Sequence, residues 1–263
     1  MLAEAVKYAA ARLRGQGDPH GHLAQQVAIW ARHKRHSAAW EPHLARCRGL
    51  ALSAARACPE GSRRTALVLG PGLLLDVPLD ELSALFQTVV LADMAFVPEV
   101  RARANRLGNV QILQADLTGC LDRLPEAGTQ PLADVLAELA AGLPGVDFAY
   151  SANLLSQLPL FALDALPPEW GEEQRAGLAA ALVRQHLQGL AALPCPACLV
   201  TDVIERGLRQ GEVEYEADLL FGVDVGLTGE NWIWDMAPGG EAVPGLDVER
   251  VVLGASTVRP ALA

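Results

Sequence analysis

Short apolar runs alternate with helical patterns through most of the chain beyond residue 64. The runs are TALVLG (65–70), TVVLAD (88–93), VQILQAD (110–116), VDFAYSAN (146–153) and CLVTDVI (198–204). Apolar residues recur with a helical period between them, as in the long segment around EEQRAGLAAALVRQHLQGLAAL. Because parallel strands need crossover connections, this alternation predicts a parallel sheet with helices on both faces.

The end of the chain follows a different pattern. Between residues 231 and 258, two strand-like runs are separated by Pro-Gly-Gly and Pro-Gly, with no room for a helix. This spacing predicts an antiparallel hairpin that closes one edge of the sheet. The predicted fold class is therefore α/β: a doubly wound, mostly parallel seven-stranded sheet ending in an antiparallel hairpin, with an N-terminal helical extension.

The first 58 residues carry no strand signal and are rich in Ala, Leu and Arg. They predict two helices, over 22–40 and 42–58, with Pro42 in the first turn of the second, where proline is tolerated. The turn residues PEGSRR (59–64) then break the pattern. We predict an N-terminal helical extension or cap over 1–60 and a Rossmann-like domain over 61–263.

Composition and charge narrow the class of protein. Of the 263 residues, 51% are apolar and 20% are charged, which is typical of a compact globular protein. No apolar run is long enough to span a bilayer, and the N-terminus lacks the layout of a secretory signal. Five cysteines without regular spacing are typical of a reducing compartment. We expect a cytoplasmic protein, and the abundance of Ala, Leu, Arg and Gly suggests a bacterial one.

The charge is unevenly distributed. Residues 1–64 hold 11 Lys/Arg and 4 Asp/Glu, a net charge of +7, whereas residues 65–263 hold 10 and 27, a net charge of -17. Either the basic N-terminal helices pack on the acidic body, or they contact an anionic substrate, a protein partner or a second copy of the chain as a homodimer. The acidic body argues against a nucleic-acid partner.

The residues at the carboxyl ends of the predicted strands are the first candidates for chemistry, because ligands of open parallel sheets bind there. The first strand ends in Gly70-Pro71-Gly72, where glycines let a ligand approach the backbone closely. The second strand ends in Asp93, at a spacing that suits a carboxylate accepting both hydroxyls of a ribose. Asp116 ends the third strand, and Ser151-Ala152-Asn153 ends the fourth.

The order of LVLGPG, VVLAD, ILQAD and AYSANLLSQLP, followed by a terminal hairpin, resembles the class I S-adenosylmethionine-dependent methyltransferases over roughly residues 60–258. The resemblance implies that the Gly70–Gly72 loop, including Pro71, lies against the methionine part of S-adenosylmethionine. It implies Asp93 on the ribose, with Met94 beside it, and Asp116 and Leu117 at the adenine. Ser151, Ala152, Asn153 and Leu154 would lie beside the methyl group.

The sequence departs from the family pattern in its first motif. Val68 stands where an acidic residue is usual, and Leu74 stands where a third glycine is expected. The loop GLLLDVP is longer, and Asp76 is a candidate N-cap for the helix that follows. A dinucleotide-binding oxidoreductase is disfavoured because Leu75 fills the place of its third glycine. Two hypotheses remain: methyl transfer to a small molecule or metabolite, and a catalytically inactive methyltransferase-like subunit that binds a partner.

Candidates for further roles are few. If the N-terminal helix is unbroken, one face of it carries His33, His36, Trp40, His43 and Cys47. This face is either a packed interface or the lining of a substrate pocket. In a pocket, one of the three histidines could act as general base. Trp232, Trp234 and Met236 alternate on a strand and form either core or an aromatic pocket wall. Cys195 and Cys198 lack partners for a metal site, and no metal is predicted. Asp202 and Glu205 lie where a loop after the fifth strand would border the active site, although solvated loop carboxylates are the commoner case.

Overall fold

The computed structural model describes residues 21–121, 124 and 134–258. The helices are α1 (His22–Arg56), α2 (Leu79–Leu85), α3 (Pro98–Arg106), α4 (Val135–Ala141), α5 (Leu158–Asp164) and α6 (Glu172–Ala192), with a short 3₁₀ turn at Glu60–Ser62. The strands are β1 (Thr65–Leu69), β2 (Thr88–Asp93), β3 (Val110–Gln114), β4 (Val146–Ala152), β5 (Ala197–Arg209), β6 (Glu212–Asp218), β7 (Glu230–Ala237) and β8 (Asp247–Ala255). Within the described ranges no helix is both long and apolar enough to cross a membrane.

All eight strands belong to one sheet. Its order is β3-β2-β1-β4-β5-β8-β7, and β6 pairs with β5 off this path. Strands β1 to β5 are parallel to their neighbours in the central part, whereas β8 is antiparallel to both β5 and β7. The strand order reverses between β1 and β4, and this switch point is where an open α/β sheet binds its ligand. The predicted α/β class, with a mostly parallel sheet and a terminal antiparallel hairpin, is confirmed.

One strand, β6, adds to the seven that were predicted. Strand β5 continues to Arg209 instead of ending near residue 204, and a turn at Gln210-Gly211 returns the chain antiparallel along it. Both turn residues have positive φ, at 53° and 90°, which is the conformation of a tight hairpin turn. The signal was in the sequence, since apolar residues alternate with Glu212, Glu214 and Glu216.

The sheet is covered on both faces. Helices α1, α2 and α3 pack on one face, through residues such as Leu44, Ala51 and Leu82. Helices α4 and α6 pack on the other, through residues such as Leu136 and Val183. Strand β1 is buried throughout, because it lies at the centre of the sheet with helices on each side.

The N-terminal helix breaks at a different place from the one predicted. Helix α1 runs through Pro42, and its non-helical dihedral angles fall at His36 (φ -120°, ψ 26°). Pro42 lies inside the helix and not in the first turn of a new one, and it cannot donate to the carbonyl of Ala38. The kink divides α1 into 22–35 and 37–56, and the second part is anchored by Trp40, which is 3% exposed. The predicted domain boundary at residue 60 stays a prediction.

Candidate functional site

A cavity of about 400 Å³ lies at the carboxyl ends of β1, β2 and β4. The switch point of the sheet therefore coincides with a space large enough for a small ligand. The predicted cofactor residues that line it are Gly70, Pro71, Gly72, Asp93, Met94, Asp116, Leu117, Ala152 and Asn153, together with Leu154. Helix α1 and strand β7 form the opposite wall, so the cavity lies between the sheet edge and the N-terminal helix.

The loop after β1 has the backbone of a ligand-binding turn. Gly70 and Gly72 both have positive φ, at 67° and 48°. A Cβ on Gly70 would lie 2.9 Å from the Cβ of Leu154, so only glycine fits there. A Cβ on Gly72 would meet no atom closer than 4.0 Å, so its backbone borders open space in the cavity. This is the cradle that a ligand held against the loop requires.

Leu74, which stands where a third glycine was expected, has a left-handed backbone conformation. Its φ is 60°, in the left-handed region where a branched or bulky residue is rare. Its side chain is 4% exposed and belongs to the core, which offsets a backbone cost of about 1–2 kcal/mol. Leu74 therefore stands at the expected glycine position in a left-handed conformation that glycine adopts readily.

Asp93 is held at the end of β2 by the backbone around it. Its Oδ2 accepts the Gly72 N–H at 3.1 Å, and its Oδ1 accepts the Met94 N–H at 2.7 Å. Burial raises the pKa of Asp93 to about 6, and the backbone donors partly oppose this rise. The backbone N–H of Ala95 is a third donor, and the carboxylate retains accepting capacity for a ligand hydroxyl.

Asp116 mainly organises the loop that follows β3. Its Oδ1 accepts the backbone N–H and the hydroxyl of Thr118 at 2.9 and 2.6 Å, and its Oδ2 accepts the Leu121 N–H at 2.9 Å. One acceptor position on Oδ2 is left for a ligand amino group. Leu117 lines the cavity beside it.

The segment after β4 is divided between the cavity and the core. Ser151 does not line the cavity: it is fully buried, and its Oγ lies 2.9 Å from Nε2 of His186, whose pKa burial lowers to about 4. Asn153 lines the cavity with a φ of 49°, and its Oδ1 accepts the backbone N–H of Asp202 at 2.9 Å. Asn153 thus fixes the end of β4 against β5.

Two of the three histidine candidates lie away from the cavity. His33 contacts the ring of Trp40, with centroids 5.6 Å apart. His36, at the kink of α1, pairs through Nε2 with Glu241 in the β7–β8 loop. The kink breaks the single helical face that would have aligned them with His43, which does line the cavity.

His43 lines the cavity as a neutral ring. Trp232 Nε1 donates to its Nδ1 at 3.1 Å, so the proton of the neutral ring is on Nε2. The ring is stacked on Trp234 with centroids 4.2 Å apart and 6° between planes. Burial first, and then the positive charge of Arg250, lower the pKa of His43 to about 3. A ring that binds protons so weakly is a poor general base at neutral pH.

The two interpretations of the β7 tryptophans both hold in part. Trp232 is core, whereas Trp234 and Met236 line the cavity. Trp40 from α1 meets Trp234 edge to face at 4.8 Å and donates Nε1–H to the Met236 carbonyl at 2.9 Å. With His43 they form a rigid wall, which we call the aromatic wall (Trp40, His43, Trp234 and Met236).

Asp202 and Glu205 do not lie in a solvated loop, as was expected. Both lie within β5, and Asp202 is fully buried. Arg250 of β8 donates Nη1 to Asp202 Oδ2 at 2.5 Å and Nη2 to Glu205 Oε2 at 2.9 Å. Arg250 also lines the cavity. Burial raises the pKa of Asp202, and Arg250 opposes that rise. The expectation failed because β5 is twice as long as its apolar run suggests.

Glu241 connects the β7–β8 loop to α1 at the kink. It accepts from Arg32 Nε at 3.2 Å, Arg35 Nη2 at 2.6 Å and His36. The Arg35 bond, with those of His36 and Arg32, lowers the pKa of Glu241 to about 2. Part of the N-terminal positive charge is therefore neutralised within the chain.

We expect Glu241→Gln to lower the free energy of unfolding by about 1–2 kcal/mol at pH 7, allowing for solvent screening of a partly exposed group. The folded pKa is depressed, so this stabilisation is present above the unfolded value near 4.5 and is lost as pH falls toward 2. Urea unfolding at pH 7 and pH 3 checks this. Glu214→Gln, which removes an exposed pair with Arg209, is the control and should have a much smaller effect. Equal effects of the two changes at pH 7 would contradict the assignment.

The cysteines carry no metal site in the part of the chain that the structure describes. All five are free thiols, and no group of three or more His, Cys, Asp or Glu side chains could hold an ion there. Burial raises the pKa of both Cys195 and Cys198 to about 12, so neither is a reactive thiolate.

No protein-family model and no curated protein matches the chain. Among solved structures, it is similar to a complex of DhpI with SAH, at 17% identity and a TM-score of 0.38, over 93% of this chain and 100% of that one. It is also similar to the 1,6-didemethyltoxoflavin-N1-methyltransferase of Burkholderia thailandensis, at 13% identity and a TM-score of 0.35, over 91% of each chain.

Proposed function

We propose that the protein transfers a methyl group from S-adenosylmethionine to a small molecule bound in the same cavity. The observation that carries this proposal is the pairing of two features at the switch point. The Gly70–Gly72 loop leaves open space at the Gly72 backbone, and Asp93, hydrogen-bonded to that loop, lines the same cavity with accepting capacity left for a ligand hydroxyl. A ligand with an amino-acid end and a ribose end fits both.

The residues present fit S-adenosylmethionine as the cofactor. Asp93 would hold the ribose hydroxyls, and the remaining acceptor position of Asp116 would hold an adenine amino group. The Gly70–Gly72 loop would lie against the methionine part, with Asn153 and Leu154 near the methyl group. When bound, the cofactor supplies a methyl group that is already activated on a sulfonium. What the protein must add is alignment of the acceptor with that group.

The far side of the cavity supports a small-molecule acceptor. The first part of α1 contributes Gln25, Gln26, Ile29 and Arg32 to the lining, and the aromatic wall completes it. A cavity of about 400 Å³ that is bounded by a helix on this side is the size and kind of space that small ligands occupy. A cytoplasmic location and a second copy of the chain as partner of the basic N-terminal helices remain predictions.

Calorimetry of the full chain with S-adenosylhomocysteine and S-adenosylmethionine tests the cofactor. We expect saturable binding with a Kd of about 1–100 μM and no competition by NAD⁺. Absence of heat with about 1 mM of either ligand would contradict the proposal. Binding of NAD⁺ instead would favour an oxidoreductase.

The acceptor class is tested by incubating the protein with methyl-labelled S-adenosylmethionine and a cell extract separated by size. We expect label to appear in products from the low-molecular-weight fraction. Label found in protein or nucleic acid would contradict a small-molecule acceptor, and cofactor binding without any transfer would favour the inactive subunit.

A further inference from the structure

Asp76 lines the cavity but is not among the residues proposed to bind the cofactor. It lies in the loop between β1 and α2, six positions after Gly70, and lines the cavity. It is not the N-cap that the sequence suggested, because α2 begins after Pro78 and has no side-chain cap. The helix is therefore not the reason for a carboxylate at this position.

The loop around Asp76 is fixed by its backbone. Arg48 of α1 donates Nη1 to the Leu75 carbonyl at 2.6 Å, and Tyr150 of β4 donates its hydroxyl to the Asp76 carbonyl at 3.3 Å. These bonds hold the main chain on both sides of the residue. Neither bond involves the side-chain carboxylate of Asp76.

The carboxylates of the cavity differ in how much of their accepting capacity is used. Asp93 accepts from the backbone N–H groups of Gly72, Met94 and Ala95, Asp116 accepts from Thr118 and Leu121, and Asp202 pairs with Arg250. Among the described residues, Asp76 accepts only from its own backbone. It is thus the carboxylate of this group best able to accept a proton from a ligand.

Asp76 lines the cavity on a loop that is packed against three other elements. The charged and titratable groups that act on it or are affected by its charge come from three elements packed on the loop: Arg48 and Cys47 of α1, Tyr150 of β4 and Asp202 of β5. Burial, more than any of these groups, raises the pKa of Asp76 to about 6. A carboxylate with that pKa is still ionised at neutral pH and binds a proton more strongly than an exposed one.

Resting on the proposed function, we propose that Asp76 is the general base of the reaction and that the acceptor is a molecule with an O–H or N–H nucleophile. His43, the other titratable candidate on this side, is held neutral with Nδ1 occupied by Trp232. The aromatic wall gives the acceptor a flat surface to pack on, and Asp76 gives its nucleophile a proton acceptor.

The step balances without any further reagent. The proton of the nucleophile passes to a carboxylate oxygen of Asp76 as the nucleophile's electron pair forms the bond to the methyl carbon. The pair of the breaking C–S bond stays on sulfur, so the sulfonium and the carboxylate are both neutral afterwards. Loss of opposite charges together is favourable in a buried site, where isolated charges are costly.

Carbon NMR of the full chain labelled at the aspartate carboxyl carbon tests this without knowledge of the acceptor. The Asp76 signal is assigned as the one that disappears in Asp76→Asn, and its pKa is measured in the S-adenosylhomocysteine and S-adenosylmethionine complexes. These ligands differ by the methyl group and the positive charge on sulfur. If Asp76 lies beside that sulfur, its pKa should be about one to two units lower in the S-adenosylmethionine complex.

The same variant has a second readout that needs no ligand. The folded pKa of Asp76 is raised above its unfolded value, so ionisation opposes folding as pH rises through about 6. Asp76→Asn should therefore raise Tm by several degrees at pH 8, by about half as much at pH 5, and hardly at all at about pH 3.5, below the unfolded pKa of 3.8. Asp80→Asn, an exposed carboxylate at the start of α2, is the matched control and should show no such pH dependence.

Each outcome decides the proposal. An Asp76 pKa that is the same in both complexes would overturn the role of general base while leaving the cofactor assignment intact. A Tm that falls in Asp76→Asn at pH 8 would mean that the carboxylate is held as part of the structure, and would also overturn it. Failure of both ligands to bind would remove the proposed function and this inference together.

Discussion

Replacing Arg250 with Met is expected to lower the free energy of unfolding by about 3–5 kcal/mol, the largest effect on stability that we expect from a single change. Arg250 is the partner of Asp202, which is fully buried with its Oδ2 2.5 Å from Nη1. Without the guanidinium, the carboxylate stays in the core with no compensating charge. Removing one member of a buried pair is costly because the other member cannot return to water.

The pH dependence of this loss follows from the pKa of Asp202. Burial already raises that pKa, and Arg250 is the group that opposes the rise. In Arg250→Met the folded pKa rises further above the unfolded one, so stability is lost as pH increases through it. Urea unfolding should therefore show a larger deficit at pH 8 than at pH 5.5.

Two variants separate the buried charge from general damage to the sheet. Arg206→Met removes partly exposed pairs between β5 and both Glu216 of β6 and Glu249 of β8, and should have a much smaller effect. Adding Asp202→Asn to Arg250→Met removes the unpaired buried carboxylate and should recover most of the lost free energy of unfolding. Equal deficits in Arg206→Met and Arg250→Met would show that the pair is not the cause.

Asp93→Ala should weaken cofactor binding by about 1.5–3 kcal/mol, which is roughly a 10- to 150-fold increase in Kd. The reason is the loss of two hydrogen bonds from ribose hydroxyls to a carboxylate in a site where burial has raised its pKa to about 6. Calorimetry with S-adenosylhomocysteine measures the change. Asp93→Asn retains an acceptor oxygen and should lose less.

Asp235→Ala is the matched control for this change, because Asp235 is exposed on β7 and does not line the cavity. It should leave the Kd unchanged. The unfolding temperature of each variant shows whether the fold is retained. An unaltered Kd in a folded Asp93→Ala protein would mean that the ribose is bound elsewhere.

The central sheet could be predicted because strands β1, β2 and β4 are largely buried on both faces and each is followed by a helix or a turn. Thr65–Leu69 and Thr88–Asp93 are continuous apolar runs for this reason. The hairpin of β5 and β6 escaped because its outer part is solvated. In this outer part, charged and apolar residues alternate. The continuous apolar run of β5 ends at residue 204, so the sequence did not predict that the strand continues to Arg209.

The cofactor side of the cavity could be predicted from strand ends, whereas the acceptor side could not. Gly72 and Asp93 are fixed in space by the strands that precede them, so sequence spacing predicts their positions. Asp76 and Arg250 reach the cavity from a long loop and an antiparallel strand, and no local sequence pattern predicts that both line it. Ser151 failed to reach the cavity because its side chain points to His186 on the other face of the sheet.

A crystal structure of the protein with S-adenosylhomocysteine tests the central claim most directly. We expect the ligand in the cavity at the switch point, with both ribose hydroxyls within hydrogen-bond distance of Asp93 and the methionine part against the Gly70–Gly72 loop. A ligand bound outside this cavity, or one whose ribose lies against α1 and away from Asp93, would contradict it.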